Sequence, residues 1–116
     1  MDKKNENTMV ITGLGVLTLR KSILIDGKEV NEIEYDFDKL TGRDIEEVFK
    51  ESTRSGYMVS ASYELDPVIG GRMFAKASDL DFLDISRLKL KDYTEAANIA
   101  RAFFIEDSDG NQEDPN

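Results

Sequence analysis

Carboxylates are the side chains in this sequence with the most scope for chemistry. Asp79, Asp81 and Asp84, or Asp36 with Asp38, lie close enough along the chain to share acid and base duties or to hold magnesium. Further on, Asp107, Asp109, Asn111 and Glu113 imitate the first ligands of a calcium loop. The imitation fails, because Gln112 occupies the position where the sharp turn needs glycine, and no bidentate glutamate is present at the twelfth position. Residues 12–105 carry 17 of the 24 acids, so acidic clusters arise there by chance. Helix-cap and turn duties account for Asp38, Asp79 and Asp81 more simply than catalysis does.

The missing residue types narrow the chemistry further. Without cysteine, histidine or tryptophan, the chain has no disulfide, no thiolate nucleophile, no zinc site built on Cys or His, and no imidazole base. Gly13-Leu14-Gly15 is a fragment of a dinucleotide fingerprint that lacks the third glycine, and it reads as a flexible lead into a first strand. Gly70-Gly71 is followed by no lysine or Ser/Thr in phosphate-loop spacing, so it reads as close packing or a weak spot in a helix. The expectation is a protein with no catalytic residues, no cofactor and no metal.

Positioning begins with a hairpin. A two-residue Asp26-Gly27 turn carried through in even register would set Leu19 against Glu34 and Leu17 against Asp36. A three-residue loop of Ile25, Asp26 and Gly27 instead pairs Leu19 with Ile33 and Leu17 with Tyr35, giving a continuous apolar face with Arg20 across from Glu32 on the wet side. The sequence therefore predicts the odd-length loop. Thr41 with Asp44 three residues on forms a capping-box start, and Ile45, Val48 and Phe49 form one stripe of a helix over about 42–55 that stops at Gly56. The alternation of Tyr57, Val59, Ala61, Tyr63 and Leu65 fits a short strand or an extended connector. Asp66-Pro67 caps a helix carrying Val68, Ile69, Met73 and Ala77; a short helix is expected through Asp81 to Arg87, and an amphipathic one over about 91–105.

The fold class is α+β: a β-hairpin packed on a small bundle of three to four helices, with the hairpin's Leu17, Leu19 and Tyr35 meeting Val48 and Phe49. Residues 1–15 read as a polar arm, 16–105 as a single domain and 106–116 as an acidic, solvated tail. The net charge of −9 disfavours phosphate-rich partners, since counterion release needs a basic surface. No apolar run approaches the ~20 residues of a membrane span, and the first residues lack a secretory signal, so the expected location is the cytoplasm. Phe74, Tyr93, Phe103 and Phe104 are candidate protein contacts. Phe103 and Phe104 diverge by about 100° on a helix, which leaves part of the pair uncovered. The hairpin edge is a candidate for strand addition or self-association.

The segments LRKSILIDGKEV, EIEYDFDKLTGRDIEE, ELDPVIGGRMFAKAS and LKLKDYTEAANIARAFF, in this order, resemble the tail assembly chaperones of long-tailed bacteriophages and prophages. The likeness covers about residues 16–105. Its more specific part is Asp36, Phe37, Asp38, Leu40, Thr41, Gly42 and Asp44 at this spacing. The resemblance implies a non-enzymatic protein of the bacterial host cytoplasm that binds the tape-measure protein, keeps it soluble and helps recruit tail tube subunits. It also implies absence from the finished virion. The alternative is an acidic decoy that mimics nucleic acid and inhibits a DNA-binding protein, because −9 on 13.1 kDa is a substantial field.

Overall fold

Asp26 and Gly27 both take left-handed backbone, with φ of 54° and 80°, and so close a two-residue turn between Ile25 and Lys28. Two consecutive positive φ angles match the right-handed twist of flanking strands, and Asp and Gly are residues that tolerate them. The computed structural model describes the backbone of residues 13–113 and side chains through Phe104. Strand β1 runs Leu14–Ile25 and β2 runs Lys28–Asp36, paired antiparallel as a two-stranded sheet.

The three-residue loop expected from the sequence is therefore replaced by a tighter turn. What restores the apolar face is a bulge. Ile23 pairs with Val30, but Thr18 pairs with Glu32, so the four residues Leu19–Ser22 stand against Asn31 alone. Beyond the bulge Leu17 faces Ile33 and Gly15 faces Tyr35. Leu17 and Tyr35 still share a face, as an apolar ribbon requires, but as diagonal neighbours and not as a pair. Arg20 lies in the bulge, so the expected Arg20–Glu32 pairing is absent.

The start of β1 is not a loose lead. A Cβ on Gly15 would lie 2.4 Å from the Tyr35 hydroxyl, and one on Gly13 would lie 2.5 Å from the Asp38 amide nitrogen. The glycines leave room for the Tyr35 ring and for the turn after β2, where Phe37 N–H donates to the Gly13 carbonyl at 2.7 Å. A 3-10 turn, Phe37–Lys39, then leads into helix α1, Gly42–Arg54. Its capping box forms as expected: Asp44 accepts from the Thr41 N–H at 2.8 Å and Thr41 Oγ1 accepts from the Arg43 N–H at 3.2 Å.

Residues 57–65 form a connector that ends in a 3-10 turn, Tyr63–Leu65. Helix α2, Pro67–Ser78, starts at the Asp66 cap, α3 is Phe82–Ile85, and α4 is Leu90–Glu113. Helix α4 thus runs past the expected end near 105. Of the expected arm 1–15, residues 1–12 lie outside the described residues and Leu14 and Gly15 belong to β1; of the expected tail 106–116, the backbone of 106–113 continues α4 and 114–116 lie outside the described residues.

Helix α2 is the hub of the domain. It packs on α4, α1, α3 and β2, while β1 leans on α4. The hairpin's main neighbours are therefore α2 and α4, and the direct seam with Val48 and Phe49 expected from the sequence is bridged by α2. Val48, Leu17, Leu19 and Ile33 nevertheless belong to one buried core, and Tyr35 and Phe49 pack at its edge. Close approach of α2 and α4 depends on small residues. Gly70 and Gly71 are buried against Ala97 and Tyr93, and Ala96, Ala97 and Ala100 complete the contact. The pair is a packing device, which accounts for two residues that each cost a helix about 1 kcal/mol relative to alanine.

Candidate binding surface

Two chains of aromatic rings converge on α4. One runs from Phe74 through Tyr35 and Phe37 to Phe103, with centroid separations of 5.4, 5.7 and 5.3 Å. The other runs from Phe49 through Tyr63 to Phe104, at 5.3 and 6.1 Å. Phe103 lies nearly parallel to Phe37, at 24°, whereas Phe104 meets Tyr63 edge-on, at 82°. Their divergence around α4 sends each ring to a different chain.

Between the two chains a shallow cavity of about 240 Å³ opens. Phe37, Leu40, Ile45, Met73, Phe103 and Phe104 supply its apolar wall, with Asp38 and Thr41 at the rim. These six wall residues arrive from five pieces of local structure. Phe37 comes from the turn after β2, Leu40 from the link to α1, Ile45 from the first turns of α1, Met73 from α2, and the phenylalanine pair from α4. The surface therefore exists only in the folded domain.

The four residues expected to be contacts do not share one surface. Phe74 is fully buried and belongs to the core; it cannot offer the exposed ring expected of it. Tyr93 is half-buried between α4 and α2, where its hydroxyl donates to the Pro67 carbonyl at 2.9 Å and burial pushes its pKa up. Phe103 and Phe104, both half-buried, line the cavity together. Sequence reasoning missed Leu40 and Ile45 as partners of that pair. Their signal was present in the apolar positions flanking the Thr41 cap, but spacing alone does not show which helix faces them.

The acidic clusters have structural work. Asp66 caps α2 by accepting from Val68 and Ile69 N–H at 2.9 and 3.3 Å, and it also accepts from the Tyr57 hydroxyl at 2.8 Å, which raises the phenol's pKa. Asp81 caps α3, Asp79 ends α2 in left-handed backbone with Lys39 as ion-pair partner, and Asp84 pairs with Arg87. Among the described residues no group of three or more His, Cys, Asp or Glu side chains is placed to hold a metal ion. Also among them, no helix is long and apolar enough to cross a membrane.

One carboxylate was unforeseen. Asp92, in the first turn of α4, is 0% exposed and accepts from the Arg20 N–H at 3.1 and 3.0 Å, the Lys21 N–H at 3.2 Å and Arg20 Nη1 at 3.2 Å. Burial alone would raise its pKa, but the Arg20 and Lys21 amides and the guanidinium outweigh it and hold the carboxyl below its usual value. Comparison of the chain with family models, curated proteins and solved structures finds no match.

Proposed function

We propose that this chain is a non-enzymatic tail assembly chaperone that binds an amphipathic helical segment of a tape-measure protein in the Phe103–Phe104 cavity. It acts in the cytoplasm of the bacterial host, keeps its client soluble, helps recruit tail tube subunits and is not retained in the virion. The observation that carries this reading is the cavity itself. An apolar wall at the end of two aromatic chains, open to solvent and rimmed by Asp38 and Thr41, suits the i, i+3, i+4 anchors of a helix laid into a groove. The sequence resemblance supplies the client. The open hairpin edge is a second place where a partner or another copy could add a strand.

Co-expression with a tape-measure protein tests the reading. The expected result is a larger soluble fraction of that protein and its co-purification with this chain. Unchanged solubility, or capture that persists after Leu40→Glu and Phe104→Ser, defeats it. The net charge of −9 favours a second reading, an acidic decoy for a DNA-binding protein. Deleting residues 106–116 separates the two: decoy inhibition falls with the charge, while client binding at the cavity survives.

A further inference from the structure

The Phe103–Phe104 cavity lies beside the start of β1. Gly13 is buried, its N–H donates to Asp38 Oδ2 at 3.3 Å, and its carbonyl accepts from the Phe37 N–H at 2.7 Å. Phe37 and Asp38 both line the cavity. Antiparallel pairing sets Leu14 against Asp36 and Gly13 beside Phe37 and Asp38, so the direction of β1 points the preceding residues toward the stretch that supplies Leu40, Thr41 and Ile45. The ladder itself stops there, because Phe37–Lys39 is a 3-10 turn and offers no strand edge to extend.

Directly before this anchor the sequence changes character. Residues 2–7 are all polar, whereas Met9, Val10 and Ile11 are consecutive apolar residues held between Thr8 and Thr12. A chain advances at most about 3.6 Å per residue, so Met9, Val10 and Ile11 all lie within ~14 Å of the Gly13 anchor. The cavity has a volume of about 240 Å³, below the ~300–1,000 Å³ of a small-molecule pocket, and so suits aliphatic side chains better than a whole ligand. Tethering adds to this. A short link holds its end at roughly millimolar effective concentration, so an apolar contact needs only about millimolar affinity to stay occupied.

We propose that Met9, Val10 and Ile11 of the same chain seat against Leu40, Ile45, Phe103 and Phe104 as a tethered plug, which any partner of the cavity must displace. The plug covers an apolar wall that would otherwise stay bare to water. It also lowers the apparent affinity for a partner by the fraction of molecules in which the cavity is open. Being intramolecular, it does not depend on protein concentration. The seating rests on the cavity and on no property of a client, so it stands or falls apart from the chaperone reading.

The sequence contains no cysteine, so a single introduced thiol in the full chain reports its own cover without background. Val10→Cys should react with iodoacetamide about tenfold or more slowly than Asn7→Cys, as expected for a cavity open in about a tenth of molecules. Adding Phe104→Ser to Val10→Cys should bring its rate to within about twofold of the Asn7→Cys rate. Met9→Asp with Ile11→Asp around the same thiol should do likewise while leaving the cavity wall and the buried core untouched, and circular dichroism checks the fold of each variant. Equal rates for Val10→Cys and Asn7→Cys overturn the proposal. So does slow reaction that survives either set of changes. A rate that falls as protein concentration rises assigns the cover to another molecule and overturns it too.

Discussion

Both carboxylate oxygens of Asp92 accept the backbone N–H of Arg20, at 3.1 and 3.0 Å, across 72 positions of sequence. The bulge in β1 leaves the Arg20 and Lys21 amides without a cross-strand partner, and a buried unpaired N–H costs about 1–3 kcal/mol. Asp92 supplies the acceptor, Arg20 Nη1 offsets its charge, and the same carboxylate sits favourably in the first turn of a helix. One side chain therefore fixes the irregular part of the hairpin to α4.

Replacing Asp92 with alanine should destabilise the domain by about 3 kcal/mol, the consequence of orphaning two amides and losing a charge-assisted contact. Asparagine should recover only part of this, since it keeps one acceptor oxygen but turns an amide donor toward backbone donors. Urea unfolding measures both. A loss no larger than that of an exposed surface substitution would show that the bulge is held by other means.

Acid should expose the same interaction. The folded-state pKa of Asp92 lies below its ordinary value of 3.8, so the unfolded chain binds the proton more tightly. The stabilisation is complete above that value and is lost as pH falls through the lower folded-state pKa. Thermal melts of wild type should drop more steeply below about pH 4 than those of Asp92→Asn. Parallel acid limbs would contradict the assignment.

The two adjacent glycines should respond differently to alanine. At Gly71 a Cβ would lie 2.1 Å from the Tyr93 hydroxyl oxygen and 2.6 Å from Cζ, so the ring must move and give up its bond to Pro67. Gly71→Ala is expected to cost about 2 kcal/mol, as overpacking does. At Gly70 the nearest atoms are the Cβ and carbonyl oxygen of Ala97 at 3.1 Å, a mild crowding set against a helix-propensity gain of about 1 kcal/mol. That variant should melt close to wild type, and paired thermal denaturation curves decide the order.

Phe74 and Phe104 should separate folding from binding. Phe74→Ala empties a fully buried site and is expected to cost about 3–5 kcal/mol. Phe104→Ser opens the half-buried end of an aromatic chain and should cost less than half of that, yet remove client solubilisation in co-expression. Equal stability losses, or retained client binding by Phe104→Ser, would count against the cavity.

Local chemistry was legible in the sequence wherever it is completed within a few residues. The Thr41–Asp44 box, the Asp66-Pro67 start and the duties of Asp79 and Asp81 all appear as read, because caps are satisfied by neighbouring amides. The hairpin was legible in its faces but not in its register. Turn chemistry and face continuity each pointed to a different loop length, and the bulge satisfies both at once with help from a residue on the last helix. Asp92, directly after Lys91, reads as an exposed acid favoured by the helix dipole, and nothing nearby in sequence marks it as buried.

The candidate surface shows the same limit. Periodicity gave the apolar side of α4, but it does not say which of its rings another element covers. On α2, Phe74 is covered by Tyr35 of β2 and Phe37 of the turn after it, whereas Phe103 and Phe104 of α4 stay at the cavity wall. Tyr93 was drawn inward by the absence of a side chain at Gly71, a relationship between helices that one-dimensional spacing does not carry.

The bulge of Leu19–Ser22 also gives the ribbon slack. Excising three of those positions would let the remaining residues zip into an uninterrupted ladder with the tip and the far end both in their present alignment. Such a shortened ribbon would be straighter, and it would have lost its grip on the last helix. The spare length is thus the feature that fastens the ribbon's first strand to the last helix.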